Sequence, residues 1–233
     1  MKEKEQPNKA MEPTARRPRL MAGVKRPKGD ERMKSRSCLL FGLAFLANTA
    51  MAGDNTFKSV TVGFEVSKPA SWQFVTAEQN LENLKNTELN DEEFQRYVIK
   101  HSTAPLVAMM KHPEPFDDLN PSFKVQTKPF GQLKGMDPKQ ILAMVSGQMK
   151  SAFRDFSIAQ APTDAVVSGI KSAYMRINYS LQIPDGRSFP TTSELWIVPK
   201  GDYFFMMGAG TRQDEKTGSR KEIQRIVGTV KIQ

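Results

Sequence analysis

The sequence predicts an α+β fold, an antiparallel sheet with helices packed on it as a sandwich, and three observations carry this. Ala173, Met175, Ile177, Tyr179, Leu181 and Ile183 point one way while Tyr174, Arg176, Asn178, Ser180 and Gln182 point the other. That is the period-two pattern of a long, half-buried strand. Pro184-Asp185-Gly186 is turn chemistry, and Ser193 to Val198 follows as the returning strand. Helix-start signals are scattered among such strands and do not recur after each one, so hairpins dominate over β-α-β units.

In chain order, Phe64 to Ser67 alternates as a short strand that stops at Pro69, and Trp72 to Val75 is a second. Thr76 and Gln79 have capping-box spacing and open a helix whose stripe is Ala77, Leu81 and Leu84. Asn90 and Glu93 repeat the signal before Phe94, Tyr97 and Val98. Ala104 to Met110 reads as a strand, 112–122 as a proline- and acid-rich loop, and Phe123 to Thr127 as the next strand. Asp137-Pro138 joins an acceptor at the cap to a proline in the first turn, and Ile141, Val145 and Met149 then recur at helical spacing. After the long hairpin, Tyr203 to Met207 is apolar throughout, as an interior strand covered on both faces would be. Gly208-Ala209-Gly210-Thr211 is read as a backbone turn; it lacks the lysine of a P-loop and the third glycine of a dinucleotide fingerprint. Ser219 with Glu222 starts a last helix that buries Ile223, Ile226 and Val227 and stops at Gly228. Val230 and Ile232 close the chain as a strand.

Domain organisation turns on MKSRSCLLFGLAFLANTAMA, residues 33–52. Lys34 and Arg36 supply a basic end, Cys38 to Ala47 an apolar core, and Ala50-Met51-Ala52 the small residues of a cut site between Ala52 and Gly53. As a helix that core spans about 15 Å, half of a hydrocarbon layer of about 30 Å. It reads as a signal peptide. Residues 1–32 are rich in Lys, Arg and Pro and read as a disordered extension upstream of Met33 as the true start. Residues 53–233 then form a single domain, periplasmic or secreted after cleavage, with no stable membrane span. Translation from Met1 gives the alternative, a domain tethered to the membrane by an uncleaved signal.

Net charge over the whole sequence is +9, which invites a nucleic-acid partner. Yet 12 of the 34 basic and 5 of the 25 acidic residues lie in 1–52, leaving 22 against 20 in the remainder. The signs there are interspersed, so nucleic acid is not expected. The single cysteine, Cys38, falls in the leader, so the exported domain has no disulfide and no thiol nucleophile. Its position at the start of the apolar core also excludes lipidation at the cut site.

F-E-V-S-K-P-x-x-W near the exported start, E-L-W-I-V at the end of the meander, and the last helix feeding V-K-I resemble the PsbP-like group. That group includes the photosystem II extrinsic subunit, the Ran-binding Mog-type proteins and the bacterial DcrB-like proteins. Ser71 departs from the glycine that many relatives carry before the tryptophan. The resemblance implies a PsbP-like α/β/α sandwich over most of 60–233 and an accessory, assembly or binding role, with no shared catalytic set to carry over.

The chemistry-bearing residues agree with a non-enzyme. His101 and His112 have no ligand partner at metal-binding spacing, so neither a metal nor another cofactor is expected. No nucleophile-elbow sequence is present. Asp117 and Asp118, with Asn120, suit a solvated turn and lack the spaced acids of a calcium loop. Loops carry function more often than cores, so the candidate interaction surface is the loop around Asp117, Asp118 and Asn120. Trp72, Tyr174 and Trp196 are its candidate aromatic anchors, with core packing as their competing role. The expected function is an exported non-enzymatic binding or assembly-accessory protein of the bacterial envelope, its partner an unknown envelope protein or a small ligand. Two alternatives stand beside it. One is a small-ligand carrier with an apolar pocket between the sheet and the 138–153 helix; the other is a hydrolase using Asp117 with Asp118 as an acid pair.

Overall fold

The computed structural model describes residues 55–85, 87–89, 92, 95–96, 104–214 and 219–233. The leader 33–52, the cut site at Ala52 and Gly53, Cys38, His101 and most of the helix expected around Phe94 to Val98 lie outside the described residues.

Among the described residues ten strands form two antiparallel sheets: β1 Thr56–Ser59, β2 Phe64–Ser67, β3 Gln73–Phe74, β4 Val107–Met110, β5 Ser122–Pro129, β6 Arg154–Val167, β7 Ile170–Gln182, β8 Ser188–Lys200, β9 Tyr203–Arg212 and β10 Lys231–Ile232. The larger sheet has the order β3-β4-β5-β9-β8-β7-β6 and the smaller the order β1-β2-β10. The described residues also form the α-helices α1 Ala77–Lys85, α2 Pro138–Ala152 and α3 Ser219–Gly228. α2 carries the chain from β5 to the far edge at β6, and the β6–β9 meander returns to pair with β5. The expected α+β sandwich is what the chain forms.

Local chemistry places the helix starts. Thr76 and Gln79 form the reciprocal pair, Thr76 N–H donating to Gln79 Oε1 at 2.9 Å and Gln79 N–H to Thr76 Oγ1 at 3.2 Å. Asp137 and Gln140 do the same at α2, with Pro138 at its first position. Three features differ from expectation. Leu81 is 37% exposed, so the α1 stripe buries less than its spacing suggests. β6 has no counterpart in the sequence pattern, because this edge strand is exposed along most of its length and its register against β7 shifts three times. Gly208 to Thr211 continues β9 in extended pairing with β5 and β8 and makes no turn.

The larger sheet is covered unequally on its two faces. On the first, Val107, Val125, Met207 and Trp196 lie in one cross-strand row beneath Phe64 and Val66 of β2 and Ile223 and Ile226 of α3. On the second, Ala173, Met175, Ile177 and Ile197 pack under Ile141 and Leu142 of α2, both essentially inaccessible. The apolar space expected between α2 and the sheet is therefore filled by α2's own side chains. Glycine is required where the small sheet closes: Gly63 has φ +59°, and a Cβ there would lie 2.7 Å from the carbonyl oxygen of Gln233.

Candidate functional site

Beside α2, no helix among the described residues covers the β4-β5-β9 part of the second face. A groove of about 550 Å³ runs over β4 and β5, bounded by α1, by the 112–121 loop and by the β7–β8 turn. A smaller hollow of about 290 Å³ continues across β9 and β8, sharing Ser122 and Lys124 with the first. The register explains the depth. Ala108, Lys124, Gly208 and Leu195 form one cross-strand row on this face, and Met110, Ser122, Gly210 and Ser193 form the next. Glycine at 208 and 210 leaves no side chain over β9, and a Cβ built on Gly208 meets only Leu195 Cδ2, at 3.5 Å.

The loop wall is held by hydrogen bonds. Asn120 is buried; its Nδ2 donates to the His112 carbonyl at 2.8 Å and to Glu114 Oε1 at 2.7 Å, and its Oδ1 accepts from His112 N–H at 3.1 Å. Glu114 Oε2 accepts from Phe116 N–H at 2.9 Å, and the rings of His112 and Phe116 stack with centroids 4.2 Å apart. Asp118 Oδ1 accepts from Arg212 Nη1 at 2.5 Å and from Leu119 N–H at 2.7 Å, fastening the loop to β9. Across the groove, Arg187 pairs with Asp185 at 2.6 Å and donates from Nη1 to the Asp117 carbonyl at 2.9 Å. The hydrogen bond from the Arg187 backbone N–H, then the guanidinium, hold the Asp185 carboxyl below the usual carboxylate range.

The floor is different in kind. Lys124 is part-buried, and burial alone pushes its ammonium below the ordinary lysine range. Among the described residues no hydrogen bond or ion pair meets its Nζ. Asn80 Oδ1, on the α1 wall, is also buried with no hydrogen-bond partner among the described residues. Apolar side chains complete the groove: Val75, Met110, Leu119, Leu181, Ile183 and Phe189.

The candidate residues read from the sequence separate into two groups. Asp117, Asp118 and Asn120 all line the groove. Trp72 and Trp196 are 2% and 4% exposed, in the core behind the first face, so they give the loop no aromatic anchors. Tyr174 packs against that same core, its hydroxyl bound to Glu194. Large aromatics in a strand or next to a proline turn are recruited to burial first, and here burial takes both tryptophans. The acids likewise do not converge as an acid pair: the Asp118 carboxylate is engaged by Arg212, while Asp117 is exposed. Among the described residues no three His, Cys, Asp or Glu side chains cluster as metal ligands, and no helix is long and apolar enough to cross a membrane.

The sequence pattern does not single out Lys124, and it presents the glycine pair as part of a turn. The available signal was a lysine between Phe123 and Val125 in a strand, together with glycines spaced two apart after an apolar run. Only the pairing of β5 with β9 shows that these positions share a face.

No protein-family model and no curated protein sequence matches the chain. Solved structures do. LpqN of Mycobacterium tuberculosis, described as involved in cell envelope biogenesis, has 13% identity and a TM-score of 0.45, over 78% of this chain and 86% of its own. The cyanobacterial PsbP of Synechocystis sp. PCC 6803 has 10% identity and a TM-score of 0.44, over 85% and 98%. The Ran-binding protein Mog1p of Saccharomyces cerevisiae has 9% identity and a TM-score of 0.43, over 76% and 94%. PsbP and Mog1p belong to the group that F-E-V-S-K-P-x-x-W and E-L-W-I-V resemble. The likeness is one of fold.

Proposed function

We propose that this chain is a non-enzymatic binding domain that works outside the cytosol and holds its partner in the groove between α1, the 112–121 loop and the β7–β8 turn. The observation that carries this reading is the groove itself. Its volume of about 550 Å³ lies within the range of small-molecule sites, which combine apolar walls with a few placed polar groups. Three of the carboxylates around it are used to build walls. Asp118 and Asp185 are ion-paired and Glu114 is hydrogen-bonded to Asn120 and Phe116, so none of the three is poised as a nucleophile or general base.

The small-ligand carrier is favoured over a protein-docking role by one feature. Lys124 Nζ and Asn80 Oδ1 both line the groove with no hydrogen-bond partner among the described residues, and a small molecule with a polar head can supply one. Export rests on the leader at 33–52, with cleavage between Ala52 and Gly53.

A photoreactive residue placed at Phe116 on the groove rim, with Val166 on the exposed β6 edge as control, tests the binding reading in intact cells. Val166 is 72% exposed. A light-dependent adduct from position 116 and none from 166 is expected, and its mass separates a small ligand from a protein. Equal labelling at both positions, or none at 116, contradicts the reading.

A further inference from the structure

We propose that the groove takes a small amphipathic carboxylic acid, its carboxylate paired with the Lys124 ammonium on the floor and its apolar body against the groove wall. This rests on the binding reading above and gives that reading a ligand class.

Lys124 stands in the middle of β5, opposite Ala108 on one side and Gly208 on the other. Both neighbours are too short to cover or pair it, so its stem stands between two small residues on that face. Both hollows share it. An ammonium taken out of water without a counter-charge is unfavourable, and its depressed pKa reflects that cost. An incoming carboxylate supplies the missing charge where solvent screening is weak. Ser122, two residues earlier on the same face, and the Tyr179–Ser193 hydroxyl pair at 3.0 Å add hydroxyls along the floor.

The rim does not oppose an anion as its composition suggests. Asp118 is matched by Arg212, Asp185 by Arg187, and Glu114 accepts two hydrogen bonds. Asp117 is exposed to water. One unpaired cation suits a monoanion. A phosphate monoester brings about −1.5 to −2 charges to the same single ammonium, leaving charge uncompensated beside the acidic rim. A carboxylate is therefore the better match, and the wall of Met110, Phe116, Leu181 and Phe189 suits a hydrocarbon body.

The test is calorimetric titration of the full-length protein with dodecanoate, dodecanol and dodecyl phosphate, for wild type, Lys124→Met and Gly208→Val. Dodecanoate is expected to bind wild type at least tenfold more tightly than dodecanol or dodecyl phosphate. Lys124→Met should bring dodecanoate down to about the dodecanol level, and Gly208→Val, which fills the smaller hollow beside Lys124, should weaken both. Equal dodecanoate binding by wild type and Lys124→Met overturns the assignment of Lys124; tighter dodecyl phosphate overturns the carboxylate. Absence of dodecanoate binding to wild type overturns the ligand class alone, while the position-116 adduct decides the binding reading separately.

Discussion

The phenol of Tyr174 on β7 donates a 2.5 Å hydrogen bond to Oε2 of Glu194 on β8, a carboxylate that is 1% exposed. Glu194 also receives Gln224 Nε2 at 2.7 Å and Arg220 Nε at 3.3 Å, both from α3. One buried acid thus joins two strands to the helix that covers the first face. Removing one partner of such a cluster leaves several buried groups unsatisfied. Glu194→Ala is expected to cost about 2–4 kcal/mol in urea unfolding. A loss below about 0.5 kcal/mol, the range of an ordinary surface change, contradicts this role.

Burial first, then Glu194, pushes the Tyr174 phenol up to about 12. Because the folded value lies above the unfolded one, this tyrosine's stabilising contribution is present below about pH 10 and is lost as pH climbs towards 12. In ultraviolet difference titration Glu194→Gln should move one phenol ionisation downward, yet leave it above the ordinary value because burial persists. An unchanged titration refutes the coupling.

Lys124 gives a prediction of opposite sign. Its folded pKa is depressed, so between the folded and unfolded values the unfolded chain holds a proton that the folded chain has released, and stability rises with pH. Lys124→Met should stabilise the protein at neutral pH by about 1–2 kcal/mol. The gain should shrink as pH approaches the ordinary lysine value of about 10.4. Thermal melts across that range check it, and a destabilised Lys124→Met at neutral pH contradicts it.

At Gly63 an alanine meets both a left-handed φ and the Gln233 carbonyl. Gly63→Ala is expected to cost about 1–3 kcal/mol and to raise hydrogen exchange in β2 and β10 before the larger sheet. Uniform exchange across both sheets argues against a local effect.

Asp137→Ala removes the acceptor of a complete capping box and should cost about 1 kcal/mol. Asp118→Asn should cost less, about 0.2–1 kcal/mol, because its ion pair with Arg212 is part-exposed. Its larger consequence should be faster exchange at the Leu119 amide, measured by nuclear magnetic resonance. Equal protection in variant and wild type shows that the pair does not hold the loop.

The fold was legible where one element's chemistry is local and complete. The alternation of 173–183, the turn at Pro184-Asp185-Gly186 and the caps at Thr76 and Asp137 each state their structure within a few residues. β6 was not legible, since an edge strand with three register shifts buries too little to impose alternation. Gly208-Ala209-Gly210 has the composition of a turn yet forms a strand, because glycine marks both turns and strand positions where space must stay open. The groove was half legible. Asp117, Asp118 and Asn120 lie on its wall, but its floor is assembled from β4, β5, β8 and β9, whose adjacency no short segment encodes.

The most direct measurement of the central claim is native mass spectrometry of the protein isolated without denaturation from its own cells, wild type beside Gly208→Val. A small molecule retained by wild type and lost from Gly208→Val is the predicted result. An empty wild-type protein contradicts the claim that the groove is a binding site, and equal retention by a stably folded Gly208→Val contradicts any share of the hollow over β9 in it.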